Sequence, residues 1–123
     1  MASDLIPTAG LAAITALLAA SDYKYVAWGT GTTAAAAGNT GLETESAEAR
    51  TSGTQSQQTT TVTNDTYRVV GTITATGARA ITEAGILSAS TAGTLLRRCT
   101  FDAMNLGSGD SIAFTFNTKF ANA

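Results

Sequence analysis

The residue types that most often carry out enzyme chemistry are scarce in this chain of 123 residues. It contains no histidine and a single cysteine, Cys99. Histidine is the commonest general base, the usual partner of a nucleophilic serine or cysteine, and the commonest ligand of transition metals. Protein zinc sites also draw most of their ligands from histidine and cysteine. We therefore expect no catalytic residues, no bound metal and no cofactor.

The lone Cys99 has no partner for a disulfide within the chain. It lies in a run that predicts a β-strand, where a thiol usually packs as a small apolar group. A reactive thiol needs an electropositive and accessible environment, for which the sequence gives no sign. We predict a reduced, packed cysteine.

A glycine-rich segment, Gly29-Thr30-Gly31-Thr32-Thr33, follows a predicted strand and could in principle hold a phosphate group. Phosphate-binding loops of this kind end in Lys-Ser or Lys-Thr and lead into a helix. This segment has neither the lysine nor an apolar helical pattern after it. The prediction is a turn that ends a strand.

Glu43, Glu45 and Glu48 form the most acidic stretch of the sequence. Strand alternation would place Glu43 and Glu45 on one face. A calcium site needs more oxygen ligands in a tighter loop, and a glycosidase needs a sugar-binding cleft around its two carboxylates. We predict instead a solvated sheet edge, or an ion pair with Arg50.

Arg97 and Arg98 are adjacent, so a strand would point them to opposite faces. A buried arginine here could pair with Glu83 or Asp102, while pairing with a neighbouring subunit is equally compatible with the sequence. Trp28 could serve as a core residue or as an anchor at an interface, and a core position is the better prediction.

The composition indicates a protein that works in contact with other proteins. Charged residues make up 13% of the chain and hydrophobic residues 44%, against a usual charged share of roughly 25%. A surface of alanine, threonine and glycine loses little side-chain entropy when it is covered. The net charge of −2 supplies no basic patch, so we expect no direct nucleic-acid partner.

The first apolar segment, Leu5 to Ala20, carries Pro7, Thr8 and Thr15. It is shorter than the ~20 residues that span a bilayer, so we expect no membrane partner. No lysine or arginine precedes it, unlike a secretory signal. Proline in the first turn and helical spacing predict an amphipathic helix that ends near Ser21-Asp22, with a buried stripe of Leu11, Ile14, Leu17 and Leu18.

The rest of the chain predicts short strands separated by polar turns. Ser46 to Gln58 has no apolar period and is predicted to be an extended arm or a long loop, and Gln58 to Thr63 is predicted to form a hairpin with Tyr67 to Ala75. The clearest strand is the last, where Ile112, Phe114, Phe116, Thr118 and Phe120 share one face. The predicted fold class is mainly β: an antiparallel β-sandwich or barrel-like domain with one N-terminal α-helix. We expect a single domain over residues 1–123, with the N-terminal segment and helix at 1–22 and the β domain at 23–123.

Several segments in a fixed order carry a resemblance to a known family. They are Tyr25 to Thr33, Leu42-Glu43-Thr44-Glu45 with Ala49-Arg50, Ile81 to Leu87, Leu95-Leu96-Arg97-Arg98, Phe101, Asn105-Leu106 and Gly109-Asp110-Ser111-Ile112. In this order they resemble small virion proteins of tailed bacteriophages, which are often labelled tail-fibre-like and include capsid decoration or cement proteins. The resemblance extends from the helix to Phe120.

The resemblance implies a structural virion protein rather than an enzyme. Its expected partners are the major capsid protein and further copies of itself, for example in a trimer. It would be made in the cytoplasm of the bacterial host and act on the outer surface of the capsid, where it would bridge and stabilise capsid subunits. No shaft-like repeat is present, which favours the capsid over a fibre. The alternatives are a tail-fibre or baseplate adhesion module that contacts the host surface, and a small hydrolase that uses Asp or Glu.

The candidate contacts for assembly come from the N-terminal segment Ala2 to Pro7, from the polar segment Ser46 to Gln58 and from the paired arginines. The individual residues are Leu5, Ile6, Trp28, Arg50, Arg97 and Arg98.

Overall fold

A computed structural model describes residues 3–122, and within them the chain is mainly β. One helix, α1 (Thr8–Ala19), precedes seven strands: β1 (Tyr25–Gly29), β2 (Thr51–Ser52), β3 (Thr54–Gln58), β4 (Thr66–Thr74), β5 (Arg79–Leu87), β6 (Leu95–Leu106) and β7 (Ser111–Lys119). All strand pairs are antiparallel. The predicted fold class is confirmed as a sandwich-like arrangement with an N-terminal helix, and the sheets do not close into a barrel.

The two sheets have the strand orders β2-β1-β5-β6 and β3-β4-β7. The core lies between them and is built mainly from β-branched and aromatic side chains, as strand propensity favours. Trp28 and Tyr67 are the largest fully buried side chains. β6 ends one sheet and β7 ends the other, so each of these strands has a free edge.

β7 follows the alternation that its sequence predicts. Ile112 and Phe116 are buried, Phe114 and Thr118 are half-buried, and the intervening residues are exposed. The Phe114 ring meets Trp28 edge-on, with ring centroids 6.4 Å apart and planes 85° apart. The turn before β7 needs glycine at Gly109, whose φ is +91°.

The helix is close to its prediction, and one residue of its predicted buried stripe, Leu17, is wrong. α1 ends at Ala19, and Leu11 and Thr15 are its buried residues. Leu17 was expected in the buried stripe but is 74% exposed. The reason is that Thr15 takes the inward position, where its hydroxyl donates to the carbonyl of Asn64 at 2.7 Å. Half-buried Leu18 packs against the core on the same side.

The predicted arm or loop at Ser46 to Gln58 is wrong for its second half. β2 and β3 lie there, one in each sheet, and Gly53 between them carries the chain from one sheet to the other. A Cβ at Gly53 would lie 2.6 Å from the Val69 side chain. The segment has no apolar periodicity, because its polar side chains are held by hydrogen bonds rather than by apolar contacts.

The predicted hairpin is correct in its second strand and wrong in its first. β4 pairs with β3, from Thr54↔Val70 to Gln58↔Thr66, and not with Gln58 to Thr63. Residues 59–63 form the turn instead. The buried Asp65 carboxylate fixes that turn by accepting the backbone N–H groups of Thr60, Thr61 and Val62.

Candidate functional site

The carboxylate of Glu83, in the middle of β5, accepts four hydrogen bonds. Its side chain is fully buried. One oxygen accepts the backbone N–H groups of Gly31 and Thr44, each at 2.8 Å. The other accepts the N–H of Glu43 and the Nε of Arg98, each at 2.9 Å. We call this group of residues the Glu83 cluster.

The sheet brings the members of the Glu83 cluster together. β5 lies between β1 and β6, so Glu83 is opposite Gly29 on one side and Thr100 on the other. Gly31 follows β1 by two residues and comes directly over the carboxylate. Its missing side chain matters, because a Cβ there would overlap the Glu83 oxygen. The glycine-rich segment therefore ends a strand, as predicted, and a carboxylate of the same chain binds the Gly31 N–H.

The Arg98 guanidinium lies inside the chain, with 2% of its side chain exposed. Besides Glu83 it donates to the carbonyl of Thr33 at 2.9 Å and to the Asn39 side chain at 3.1 Å. Of the pairings that the sequence allowed, the structure thus shows the one within the chain, between Arg98 and Glu83. Arg97 points to the opposite face, as strand alternation predicted, and is exposed.

Two opposing effects act on the pKa of Glu83. Burial by itself raises the pKa, because it removes water from the charged form. Hydrogen bonds from the Thr44 backbone, the Arg98 guanidinium and the backbones of Glu43 and Gly31 outweigh burial and hold the pKa below its ordinary value. The group is therefore a stable carboxylate near neutral pH, and every donor around it comes from the protein.

A second carboxylate completes the attachment of residues 30–45, which we call the 30–45 loop. Glu43 accepts the N–H groups of Thr32 and Thr33 at 2.9 and 3.1 Å, and the Thr33 hydroxyl as well. The Thr33 side chain and backbone are the main reasons that the pKa of Glu43 is lowered. Arg98 and Glu83 hold the inner side of the loop, so its conformation is fixed at several points.

The predicted acidic stretch does not act as one cluster. Glu45 forms the predicted ion pair with Arg50 at 2.9 Å. Glu48 turns inward, where it accepts the indole N–H of Trp28 at 2.9 Å and pairs with Arg79 at 3.0 Å. Burial raises the pKa of Glu48, but hydrogen bonds from Ser46, Thr76 and Trp28 lower it by more. The three carboxylates thus serve three separate networks.

The candidate assembly contacts divide into exposed and internal residues. Leu5 is 62% exposed and Ile6 39% exposed, so both remain available for contact, as does Arg97. Ala2, which was included in the candidate N-terminal segment, lies outside the described residues. Trp28 is in the core, and the side chains of Arg50 and Arg98 are bound internally with 7% and 2% exposed. These last three offer almost no surface to a partner in the present conformation.

Sequence reasoning missed the side chains that fix the helix and the chain ends. The Gln55 amide donates to the carbonyls of Leu18 and Ser21 and to the Tyr67 hydroxyl. The Asn122 side chain both accepts from the Ile6 N–H at 2.7 Å and donates to the Ile6 carbonyl at 3.0 Å. Isolated amides of this kind carry no sequence signal, because their partners lie far away along the chain.

The surface has two notable depressions. One of about 510 Å³ has a mixed polar and apolar lining and lies between the 30–45 loop and β6, where Thr32, Phe101 and Asp102 contribute to its wall. The other, of about 380 Å³, is mostly apolar and lies between β6 and β7. Within residues 3–122, no group of three or more Cys, Asp or Glu side chains is placed to hold a metal ion.

No helix in the described part of the chain is long and apolar enough to cross a bilayer.

No protein-family model matches the chain, and no curated protein is similar to it in sequence.

Proposed function

We propose that this chain is a structural virion protein of a tailed phage, a cement or decoration protein that binds the outer surface of the capsid and bridges major capsid protein subunits. The observation that carries the proposal is the 30–45 loop, which is attached to the sandwich at several points and whose residues 30–41 are small and uncharged. Residues 32–40 of this loop are exposed throughout. A surface of this kind suits permanent contact with other proteins.

The energetic argument concerns what binding would cost. Ala34 to Ala37 lose no side-chain entropy when covered, and threonine loses little. Backbone ordering would also cost little, because Glu43 and Arg98 already fix the loop. A preformed neutral surface therefore keeps more of its contact energy as binding free energy. Many copies on a repeating lattice would multiply the stabilisation.

The resemblance supports the same proposal, because its segments are neighbours in space. Gly29 to Gly31, Leu42 to Glu45, Ile81 to Leu87 and Leu95 to Arg98 meet at the Glu83 cluster. Arg50, from another of the segments, pairs with Glu45 and donates to the carbonyls of Ala89 and Ala92. Several of the segments that carry the resemblance thus build the loop and attach it to the sheet.

The buried acidic groups support binding rather than hydrolysis as the role of the protein. Glu83, Glu48 and Asp65 each accept several hydrogen bonds from their own chain, and their pKa values are lowered. A general acid needs a raised pKa and access to substrate. These carboxylates have the opposite properties, so the proposal assigns them to structure.

The proposal is tested by mixing fluorescently labelled protein with capsids that lack it and with isolated tails of the same phage. Co-sedimentation with capsids, and a higher temperature for capsid disruption, are expected. Ala35→Lys places a charge on the exposed loop and should abolish binding. Ala13→Lys, which makes the same change on the exposed face of α1, is the matched control and should bind normally. Binding to tails or host cells without binding to capsids would refute the proposal.

A further inference from the structure

The apolar cleft between β6 and β7 is the part of the core that the chain itself leaves open. Both strands have a free edge here, because each is the last strand of its sheet. The cleft has a volume of about 380 Å³. Its wall includes the aromatic and sulfur-containing side chains Cys99, Phe101, Met104, Phe114 and Phe116. Met104 is 44% exposed although it is apolar.

The other end of the sandwich is closed by α1. The three-stranded sheet runs β3-β4-β7, and the helix contacts β3 and β4, away from β7. Leu18 of the helix packs against the core, and Gln57 donates to the helix at Ala12 and Thr15. One side of the core therefore has a cover from the same chain. Within residues 3–122 the β6–β7 side has no such cover.

The N-terminal arm, Ser3–Pro7, exposes apolar side chains, whereas the cleft is an apolar surface without a cover. Leu5 and Ile6 are among the most exposed large apolar residues, and neither lines the cleft of its own chain. Pro7 favours an extended conformation at Ile6. The Asn122 side chain binds both the N–H and the carbonyl of Ile6, which holds the base of the arm in place. The arm is thus preorganised to present apolar side chains outward.

The arm and the cleft match in length and in charge. Ser3 to Ile6, when extended, covers about 10 Å, which fits within the roughly 13 Å from Ile112 to Phe116 along β7. Asp4 stands next to Leu5, and Arg97 lies on the wall of the cleft. Arg97 donates to neutral oxygens, the carbonyl of Asn117 and the hydroxyl of Thr118. It has no salt-bridge partner in the described residues.

We propose that the β6–β7 cleft is the binding site for the N-terminal arm of a second copy of this chain. Leu5 of one copy enters the cleft of the next, and Asp4, on the opposite face of the extended arm, pairs with Arg97. The arm adds along an exposed strand edge, a common mode of recognition for extended segments. The contact joins two different surfaces, so it generates a closed ring of copies, such as a trimer, where the rotation permits. This inference concerns self-association and does not depend on the proposed function.

The test is analytical ultracentrifugation of the full chain over a dilution series. The wild-type protein is expected to form a defined oligomer. Leu5→Asp should raise the dissociation constant about tenfold or more, since it removes a buried leucine from the contact. Leu17→Asp is the matched control, because Leu17 is equally apolar and 74% exposed but lies on the helix. It should leave the oligomer unchanged. Circular dichroism checks that each variant is folded.

A charge exchange tests the pairing directly. Asp4→Arg and Arg97→Asp should each weaken association, and the double variant should recover most of the loss. A wild-type protein that stays monomeric at every concentration would overturn the proposal. Equal effects of Leu5→Asp and Leu17→Asp, or no recovery in the double variant, would also overturn it.

Discussion

Glu83→Gln should lower the free energy of unfolding more than Arg98→Met, although both substitutions break the same ion pair. The four donors around Glu83 leave no oxygen lone pair facing solvent. In Glu83→Gln the new NH₂ group must point at two donors in either orientation. It faces the N–H groups of Gly31 and Thr44, or that of Glu43 together with Arg98. Arg98 also loses the charge that balances its own.

The magnitude follows from what each variant leaves buried. Removing one partner of a buried ion pair typically costs about 3–5 kcal/mol. Arg98→Met should fall near the lower value, because three backbone N–H groups still bind the Glu83 carboxylate. Glu83→Gln should fall near the upper value, because it leaves a buried cation and two opposed donors. The double variant should cost less than the sum, since the second change removes a group that the first has already left unpaired.

Urea unfolding followed by Trp28 fluorescence measures these differences at one fixed protein concentration. Hydrogen exchange of the Gly31, Glu43 and Thr44 amides should show loss of protection in both variants, because the same bonds attach the 30–45 loop. Arg68→Met is the matched control. Arg68 donates to the Asn117 side chain at the surface, so its loss should cost less than about 0.5 kcal/mol.

Two results would refute this reasoning. One is a Glu83→Gln variant that is destabilised less than Arg98→Met. The other is a double variant whose cost equals the sum of the two single changes, which would mean that the two side chains act independently.

Three further predictions concern the whole fold. The pKa values of Glu48 and Asp65 are lowered by folding, so the contribution of these carboxylates to stability is complete above about pH 5 and is lost as the pH falls below about 4. The urea concentration at the unfolding midpoint should therefore drop below about pH 4. A midpoint that stays constant down to pH 2 would contradict the prediction. Gly29→Ala should destabilise the fold strongly because its Cβ would overlap a backbone carbonyl, whereas Gly41→Ala, with open space around it, should be nearly neutral in thermal unfolding. Partial burial raises the pKa of the Cys99 thiol, so a thiol reagent should label it more slowly in the folded protein than in urea at the same pH. Equal labelling rates would contradict the effect of this burial.

The fold class could be predicted because strand alternation is a local signal. β7 shows this clearly: its buried and exposed residues alternate as the sequence does. The helix was also predictable from its start near Pro7, and its buried face was predictable except at Thr15 and Leu17. The spacing of apolar residues favoured burial of Leu17. The helix position that faces the sandwich is instead occupied by Thr15, because its hydroxyl forms hydrogen bonds with Asn64 and Gln57.

The candidate site was only partly predictable, because it depends on pairs distant in sequence. Glu83 could be named, together with Asp102, as a possible partner of a buried arginine at 97 or 98, yet nothing local tied Glu83 or Arg98 to Gly31 or Thr44. Residues 51–58 were missed for a related reason. Their polar side chains bind the helix and neighbouring strands, so the segment lacks the apolar period that marks an ordinary strand.

The bonds between Ile6 and Asn122 have a practical consequence for engineering. They bring positions 6 and 122 within hydrogen-bond distance, although 116 residues separate them. A short glycine-serine linker could therefore join the two ends into a circular backbone, and new termini could be opened in an exposed turn such as 88–94. Cargo fused next to position 6 or position 122 would emerge from the same place on the molecule.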